Sequence, residues 1–385
     1  MELVHLRVRD FRNLASVDIA PGPRFNVISG HNGQGKTNLV EAVYVLGSVK
    51  TFRTQKNREL IRWDADRAVL EGLAHRGDDE RLARIEVCGD RKEVYLGDLS
   101  VQRLADFFGT LNVVVFTPDD LSLVKGSPSE RRRFLDRAIF NLRATYAGDA
   151  VGYDKILKQR NAMLKGERVD AVLLDVYDEQ LALSGGRVAS ARHRFVEQFS
   201  ARFAAAFGEI FGGLSATVTY ESPWWDRSAL PETPESAPRA GRILDRDDAL
   251  VSSAQDALRA ALARRRQEDM RRGQTSTGPH RDDLRVELES RSARTFASQG
   301  QQRALVLAMK IAEVEFFESE RGFRPILLLD DVSSELDRAR NRFLFDYLRA
   351  HDGQVFITTT HRDHILLEED VVAYEVEAGN VRQVE

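Results

Sequence analysis

Short apolar runs that end in glycine, proline or polar residues predict the strands of a buried sheet. Four of them are FNVISG (25–30), LNVVVFTP (111–118), PILLLDD (325–331) and QVFITTTH (354–361). Uninterrupted runs of this length are typical of strands covered on both faces, as in a parallel sheet. Other stretches alternate between polar and apolar positions. Residues 2–9 have a mixed face and predict an edge strand, residues 68–96 predict a β meander, and residues 282–289 predict one more strand.

Residues 131–208 contain few strand signals and predict a helical region. A capping box at 127–130, SPSE, with proline at the first helical position, predicts the helix that opens it. Phenylalanines at four-residue spacing near its end are typical of core-facing side chains, and they are Phe195, Phe199, Phe203 and Phe207. A second helical arm is predicted at 246–272, and the proline- and serine-rich stretch 222–241 predicts a loop or linker.

Two further stretches have apolar residues at helical spacing, one after the first apolar run and one before the third. Residues 38–48 place Leu39, Val43 and Leu46 on one stripe, and residues 302–318 form an amphipathic pattern. Strands and helices therefore alternate at both ends of the chain, with helices between them, which predicts an α/β head split by a helical insertion. The predicted divisions are a first lobe at 1–117, a mostly helical second lobe at 118–323, and the remainder of the first lobe at 324–385.

Composition narrows the class of protein. The chain has 385 residues, of which 42% are hydrophobic and 30% charged, as expected for a globular protein with a substantial core. No apolar run approaches the ~18 residues of a membrane span, and the N-terminus lacks the apolar region of a signal peptide. The single cysteine, Cys88, excludes an internal disulfide. We expect it to be half-buried in a strand, in a reducing, cytoplasmic setting.

Residues 30–37 match the phosphate-binding pattern G-x-x-x-x-G-K-[ST] in full. Their sequence, GHNGQGKT, lies between a predicted strand and a predicted helix, the context that such a loop needs. Glycines let the backbone N–H groups face phosphates, Lys36 reaches the β- and γ-phosphates as a candidate catalytic residue, and Thr37 offers a hydroxyl to Mg²⁺. We therefore expect ATP and Mg²⁺ as cofactors. The predicted nucleotide-binding residues of the loop are Gly30, His31, Asn32, Gly33, Gln34, Gly35, Lys36 and Thr37.

Two carboxylates end the apolar run at 325–331. Asp330 is predicted to hold Mg²⁺, and Asp331 to orient or deprotonate the attacking water. The C-terminal end of a parallel strand is where an α/β sheet binds ligands. The alternative is that the pair merely ends a strand and caps the next helix. Its occurrence together with the phosphate loop favours the catalytic interpretation.

Residues 297–301, ASQGQ, resemble the signature motif of the ABC ATPase superfamily. In that superfamily the signature serine and glycine contact the γ-phosphate held by the other subunit, and Ser298, Gly300 and Gln301 occupy the matching positions. A hydroxyl, backbone N–H groups and a helix N-terminus together form an anion site. Taken alone, however, Ser298 is more simply explained as a helix N-cap.

Two further segments follow the order of that superfamily. SSELD (333–337) comes directly after the acidic pair, as the D-loop does, and His361 lies where the superfamily places its switch histidine, a candidate catalytic residue. No Q-loop glutamine is identified, and the turn TPDD (117–120) lies where that loop is expected. Asp331 replaces the glutamate of transporter-type relatives, so we expect slow hydrolysis.

The chain as a whole resembles the RecF family, in the SMC-like branch of the ABC-type ATPases. The segments that carry the resemblance are RDFRNL (9–14), TFR (51–53), FTPDD (116–120), RRRFLD (131–136), KQRNAML (158–164) and GPHRDDL (278–284). Lys36 and Ser298 are 262 residues apart (298 − 36), which is long for a transporter ATPase and far too short for an SMC protein with long coiled coils. The expected fold class is α/β, an ABC-type P-loop ATPase head with an inserted, mostly helical second lobe.

The resemblance implies a function as well as a fold. It implies ATP-driven homodimerisation, weak ATP hydrolysis, and sequence-independent binding of double-stranded and gapped DNA. It also implies cooperation with RecR and RecO to load RecA during repair of single-strand gaps and stalled replication, in the cytoplasm and without a membrane. The alternatives are a transporter-type ABC subunit, which predicts a shorter insertion, and a P-loop kinase, which would not need the signature, D-loop and histidine segments.

Two clusters of basic residues are candidates for binding DNA. They are Lys50, Arg53, Lys56, Arg58 and Arg62 in the first cluster, and Arg264, Arg265, Arg266, Arg271 and Arg272 in the second. Since the net charge of the chain is −4, a DNA-binding surface must gather its basic residues on one face. Contacts from such clusters would be to phosphates. Either cluster is explained equally well as a solvated basic face.

Overall fold

The computed structural model describes residues 1–54, 56–166, 168–227 and 247–384, without the side chains of Ala105, Ser334 and Glu335. Most of the loop predicted at 222–241 therefore lies outside the described residues. The chain divides into two compact units, one formed by Met1–Asp120 with Glu313–Glu385 and the other by Leu121–Ala312.

Strands and helices are numbered in chain order. The strands are β1 (Glu2–Phe11), β2 (Leu14–Ile19), β3 (Phe25–Ser29), β4 (Arg67–Arg76), β5 (Asp79–Cys88), β6 (Arg91–Leu96), β7 (Leu99–Ser100), β8 (Val113–Phe116), β9 (Ala216–Glu221), β10 (Asp283–Leu288), β11 (Arg291–Ser292), β12 (Ile326–Asp330), β13 (Val355–Thr359), β14 (Val371–Glu377) and β15 (Asn380–Val384). The helices are α1 (Lys36–Ser48), α2 (Leu104–Phe107), α3 (Ser122–Lys125), α4 (Pro128–Leu142), α5 (Thr145–Leu164), α6 (Ala171–Ile210), α7 (Asp248–Arg272), α8 (Ala293–Phe296), α9 (Gln299–Arg321), α10 (Val332–Glu335) and α11 (Arg338–Ala350).

The first unit contains an antiparallel sheet in the order β2-β1-β4-β5-β6-β7. Strand β1 pairs on both sides, with β2 and β4, so the prediction of an edge strand was wrong. The register shifts between Leu3 and His5, and this irregularity places Leu3 among the buried residues together with Leu6 and Val8. Cys88 is the last residue of β5 and is exposed, so the expectation of a half-buried cysteine was also wrong.

The second sheet of this unit has the order β15-β14-β3-β13-β12-β8. All its neighbouring pairs are parallel except β14 with β15. Helix α1 packs against β1, β4 and β5 of the antiparallel sheet and against β8, β12 and β13 of the parallel sheet. Because it lies between two sheets, it is buried around most of its circumference, including Val40 and Val45 outside the predicted stripe.

The second unit is mostly helical. The 40-residue helix α6 packs against α5, α7 and strand β9. Its four predicted core phenylalanines are fully buried, and their rings follow one another with centroids 5.1, 6.3 and 6.5 Å apart. A small antiparallel sheet, in the order β11-β10-β9, completes the unit. Among the helices that the structure describes, none has both the length and the apolar composition needed to cross a membrane.

Candidate nucleotide-binding site

The register of the parallel sheet brings the predicted catalytic segments to one edge. Strand β13 lies between β3 and β12, with Thr359 opposite Ser29 and Thr358 opposite Asp330. The phosphate loop follows β3, the acidic pair ends β12, and His361 comes two residues after β13. These three segments therefore leave the sheet side by side, at the carboxyl edge where α/β proteins bind ligands.

The phosphate loop curls around the amine of Lys36. The Lys36 Nζ donates hydrogen bonds to the carbonyl oxygens of Gly30, at 2.6 Å, and His31, at 3.0 Å. Burial lowers the pKa of Lys36, while the carboxylates of Asp331 and Asp330 act in the opposite direction. A Cβ atom at residue 30 would lie 2.4 Å from the carbonyl oxygen of Val376, so only glycine fits where the loop leaves β3.

Neighbouring segments clamp the loop at Gln34. The Gln34 carbonyl oxygen accepts hydrogen bonds from the side chain of Asn13 and from the N–H of Gly379, both at 2.9 Å. The Gln34 side-chain oxygen accepts one from the N–H of Ala378, at 2.6 Å. His31 and Asn32 are exposed and lie earlier in the loop, before the residue that is clamped. Gln34 thus has a supporting role in the loop in addition to its predicted contact with the nucleotide.

Thr37 and Asp330, the two predicted magnesium ligands, are in direct contact. The hydroxyl groups of Thr37 and Thr358 both donate to the same Asp330 oxygen, at 2.9 and 2.8 Å. Burial raises the pKa of Asp330, and the bonds from Thr358 and Thr37 lower it in part. A nearby cation would stabilise the ionised carboxylate, and both oxygens are ligands that Mg²⁺ accepts.

Within the described residues, three or more histidine, cysteine or acidic side chains do not converge to hold a metal ion. Mg²⁺ commonly binds to one or two protein oxygens and to the phosphates of its substrate. Thr37 and Asp330 therefore fit a magnesium ion that arrives with a nucleotide.

Thr358, which was not predicted from the sequence, supports both members of the acidic pair. Its hydroxyl donates to Asp330 and also accepts a hydrogen bond from the N–H of Asp331, at 2.9 Å. Asp331 adopts a left-handed backbone conformation, with φ of 51°. The two threonines that end the otherwise apolar strand β13 were the available signal in the sequence. The anchor fixes the direction in which the chain, and with it Asp331, leaves β12.

The segment after β13 is also held at the edge of the sheet. His361 is exposed, its N–H donates to the Thr359 hydroxyl at 3.1 Å, and its ring centroid is 5.5 Å from that of His364. The next residue, Arg362, donates to the hydroxyl of Ser29 at 3.2 Å. The structure thus places His361 near the end of β3, whereas its role as a switch remains a prediction.

Two further expected segments follow β12 and β8. The predicted D-loop, 333–337, forms α10 and the cap of α11, where Asp337 accepts a hydrogen bond from the N–H of Arg340. The side chains of Ser334 and Glu335 lie outside the described residues. The TPDD turn follows β8, the neighbour of β12, and is closed by a 2.7 Å hydrogen bond from the Thr117 N–H to Asp120.

The segment that resembles the signature motif belongs to the second unit. The Ser298 N–H donates to the side chain of Gln301 at 2.7 Å, and the Gln301 N–H donates to the Ser298 hydroxyl at 3.3 Å. This reciprocal pair forms the capping box of α9, and Gly300 lies in its first turn. Ser298 is therefore a helix cap within the single chain. A contact from Ser298, Gly300 and Gln301 to a nucleotide on a second copy stays a prediction.

The contact between Arg12 and Glu41 was also not predicted, and it ties two of the family-like segments to helix α1. The Arg12 guanidinium makes two hydrogen bonds to the fully buried carboxylate of Glu41 in α1, at 3.0 and 2.9 Å. The Thr51 hydroxyl donates to the same carboxylate at 2.5 Å. The RDFRNL segment, the helix after the phosphate loop and the TFR segment therefore share one buried charge.

The first basic cluster is only partly free to meet a ligand. Arg53 donates to the Asn38 side chain of α1 at 2.7 Å, and Arg62 pairs with Asp10 at 2.7 Å. Lys50 and Arg58 are exposed, and among the described residues we find no hydrogen bond or ion pair for their side chains. Arg53 is thus held beside the phosphate-loop helix, whereas Lys50 and Arg58 remain available.

The second basic cluster lies on α7 and is partly neutralised. Glu268 pairs with Arg265 at 2.5 Å and with Arg272 at 2.8 Å. Arg266 pairs with Asp175. Exposed pairs of this kind are weak, but they reduce the local positive charge that a phosphate would meet.

Comparison with known proteins identifies the family of the chain. The parallel sheet, the phosphate loop and the acidic strand end define the ATP-binding head of an ABC-type P-loop ATPase, and residues 2–382 match the family described as the RecF/RecN/SMC N terminal domain. The chain is 43% identical over 361 residues to the DNA replication and repair protein RecF of Myxococcus xanthus (strain DK1622), covering 94% of this chain and 91% of that protein.

Two further comparisons extend over the full length. The DNA replication and repair protein RecF of Citrifermentans bemidjiense is 39% identical, over 99% of this chain and all of that protein. A solved structure of the recombination mediator protein RecF with ATP, in the RecFOR pathway, superimposes with a TM-score of 0.86 at 28% identity, covering 100% of this chain and 97% of that one. The chain belongs to the RecF family of DNA replication and repair proteins.

Proposed function

We propose that the chain is an ATP-dependent recombination mediator that binds ATP and Mg²⁺, dimerises on ATP, binds DNA and hydrolyses ATP slowly. The observation that carries the proposal is the meeting of the Lys36 loop, the Thr37–Asp330 contact and Asp331 at one edge of the sheet. The match to a RecF structure described with ATP supports it.

The residues of the site divide the chemistry among them. Lys36, which donates to two carbonyl groups of its own loop, would donate to the β- and γ-phosphates instead. Thr37 and Asp330 would hold Mg²⁺, which supplies positive charge against the phosphates. Asp331 would orient the attacking water, with His361 at the neighbouring strand end. An aspartate reaches less far than a glutamate, which supports slow turnover.

Dimerisation would complete the site. Ser298, Gly300 and Gln301 of one copy would close over the nucleotide held by another copy, so that one two-fold interface encloses two ATP molecules. Family membership supports this arrangement, together with the cytoplasmic partners RecR, RecO and RecA and the substrate, double-stranded or gapped DNA. A transporter-type ABC subunit is disfavoured, because relatives named RecF cover nearly the whole chain.

Light scattering combined with DNA binding tests the proposal. The wild-type chain should be a monomer with ADP and a dimer with ATP, and ATP should raise its affinity for duplex and gapped oligonucleotides. Lys36→Met should bind ATP poorly and stay monomeric in both conditions. ATP-independent behaviour of the wild type, or full ATP affinity in Lys36→Met, would exclude the proposed mechanism.

A further inference from the structure

One of the three tryptophans is almost fully exposed. Trp63 is 89% exposed, whereas Trp224 and Trp225 are 8% and 2% exposed. Trp63 lies in the connection between a short 3-10 turn at Asn57–Leu60 and strand β4. A large aromatic side chain usually gives up its contact with water when it packs or binds. Because Trp63 makes so little packing contact, its surface is free to cover a ligand.

The backbone presents Trp63 on a fixed turn. The Ala65 N–H donates to the Arg62 carbonyl at 3.1 Å, which closes a four-residue turn with Trp63 and Asp64 at its centre, and Asp64 has a φ of 64°. Arg62 is held to Asp10 by its N–H, at 2.8 Å, and by its guanidinium, at 2.7 Å. The indole is therefore presented from a turn anchored to β1, so that little ordering entropy would be lost on binding.

The segment that contains Trp63 differs in charge from the whole chain. Residues 50–67 contain six basic and three acidic side chains, whereas the chain as a whole carries a net charge of −4. Lys50 and Arg58, which lack ion pairs among the described residues, belong to this segment. Unpaired cationic side chains in the same segment as an exposed aromatic ring supply the two groups that bind single-stranded nucleic acid, in which bases stack and phosphates are neutralised.

We propose that Trp63 stacks on an unpaired base of DNA where a duplex passes into a single strand, while Lys50 and Arg58 contact neighbouring phosphates. The proposal rests on the DNA binding proposed above and assigns its preference for gapped DNA to one residue. A protein-binding tryptophan is usually surrounded by a ring of packed residues that excludes water. The neighbours of Trp63 in sequence are Arg62 and the exposed Asp64, and these polar neighbours favour a nucleic acid.

Three variants of the full-length chain, assayed with ATP, test the proposal. Trp63→Ala should weaken binding of a gapped oligonucleotide by on the order of ten-fold, as expected for the loss of one stacked base, and leave binding of a blunt duplex unchanged. Trp63→Phe keeps an aromatic ring and should retain most of the affinity for gapped DNA. Leu99→Ala is the matched control, because Leu99 of β7 is another exposed apolar residue of the first unit, and this variant should bind both DNAs as the wild type does.

Intrinsic fluorescence gives an independent measurement. Gapped DNA should quench the emission of the wild type, since the exposed indole would stack on a base, and it should leave the emission of Trp63→Phe unchanged because only buried tryptophans remain. All variants should melt at the temperature of the wild type, since so exposed a residue has little packing to lose.

The outcomes separate this proposal from the one on which it rests. If the wild type binds neither duplex nor gapped DNA, the proposed DNA function is wrong and the stacking role is wrong with it. If the wild type binds both, and Trp63→Ala binds gapped DNA equally well without loss of quenching, only the stacking role is overturned.

Discussion

At the scale of single residues, the site depends on groups that hold the reacting side chains as well as on the side chains themselves. Thr358 is the clearest example, because one hydroxyl contacts Asp330 and the backbone of Asp331. Its substitution should disturb catalysis without touching the phosphate loop. The role of Asp331 should be separable from ATP binding, since in the proposed function the phosphate loop holds the nucleotide.

Thr358→Val removes the hydroxyl and keeps the shape of the side chain. The Asp331 N–H would lose its acceptor and Asp330 one of its donors, so we expect hydrolysis to fall by about 10–100-fold, as for other groups that support metal ligands. ATP affinity should change little. Single-turnover hydrolysis and nucleotide titration measure the two effects, and Thr358→Ser, which keeps the hydroxyl, should restore most of the rate. Equal rates for the Val and Ser variants would show that the hydroxyl is unimportant.

Asp331→Asn should retain ATP binding and slow hydrolysis by about 10²–10⁴-fold, the range of a general base. Asparagine tolerates the left-handed backbone at this position, so the strand end should keep its shape. The ATP-bound dimer should therefore persist, and its lifetime can be followed by light scattering after excess ATP is removed. Wild-type turnover in this variant would mean that another group positions the attacking water.

At the scale of elements, the close crossing of α6 and α7 depends on glycine. A Cβ atom at Gly186 would lie 2.4 Å from the Gln255 Cγ and 2.8 Å from the Gln255 backbone nitrogen. The first contact involves a flexible side chain, but the second involves a helix backbone, which cannot move aside locally. The crossing therefore requires the absence of a side chain at residue 186.

Gly186→Ala should lower the free energy of unfolding of the second unit by about 1–3 kcal/mol, the usual effect of overpacking. Gly208 lies on the same helix, and a Cβ atom there would meet nothing within 4 Å. Gly208→Ala should therefore stabilise the helix by up to about 1 kcal/mol. Thermal melting followed by circular dichroism compares the two variants. A loss of stability in both would show that the crossing is not the cause.

Sequence patterns predicted those elements whose environment is uniform along their length. The apolar runs of β3 and β12 are covered on both faces, and the four phenylalanines of α6 face one core. An uninterrupted apolar run or a regular four-residue spacing therefore reveals these elements in the sequence. The position of β1 within its sheet was not predictable, because the register shift after Leu3 breaks the alternation that would reveal its buried face. Pairing with β4, which is distant in sequence, decides such a feature.

The candidate site was predictable where the chemistry dictates consecutive residues. The phosphate loop and the acidic pair are each contiguous, so their residue types and spacing reveal them. Thr358 and Glu41 act through partners 28 and 29 residues away, respectively. A polar residue in a mostly apolar strand or helix carries no sign of its partner, and for that reason the supporting contacts emerged only from the structure.

At the scale of the whole molecule, the proposed nucleotide contacts are divided between the two compact units. Lys36 belongs to the first unit, and Ser298 to the second. Two copies in a symmetric dimer would each supply both parts. ATP should favour the dimer over the monomer only through contacts with the γ-phosphate that the monomer does not make.

Ser298→Arg should leave ATP binding to the monomer intact and prevent ATP-driven dimerisation, because the added bulk stands where a phosphate must approach closely. Ser298→Ala is the control: it loses the helix cap, at a cost of about 1 kcal/mol, without adding bulk. It should dimerise better than the arginine variant. Light scattering with ATP measures the fraction of dimer that each variant forms. A fully dimeric Ser298→Arg would mean that Ser298 acts only as the cap of α9.

DNA affinity should fall steeply with added salt and depend little on base sequence, since the available groups are lysines and arginines suited to phosphates. Each phosphate contact contributes about −0.9 to the slope of log affinity against log salt. Replacing both Lys50 and Arg58 by glutamate should therefore flatten the slope by about 2 per protomer, and the matched Arg264/Arg271 double variant of α7 should not. A flatter slope only in the Arg264/Arg271 variant would assign DNA binding to the second cluster.

The order of strands in the parallel sheet has a consequence for synthesis of the chain. Strand β3, which carries the phosphate loop, lies between β13 and β14, and these begin only at Val355 and Val371. A nascent chain on the ribosome thus exposes both edges of β3 until more than 350 residues have been translated, and open edges invite pairing with other chains. Prematurely terminated chains should have no nucleotide site, so ATP would protect only finished molecules from proteolysis.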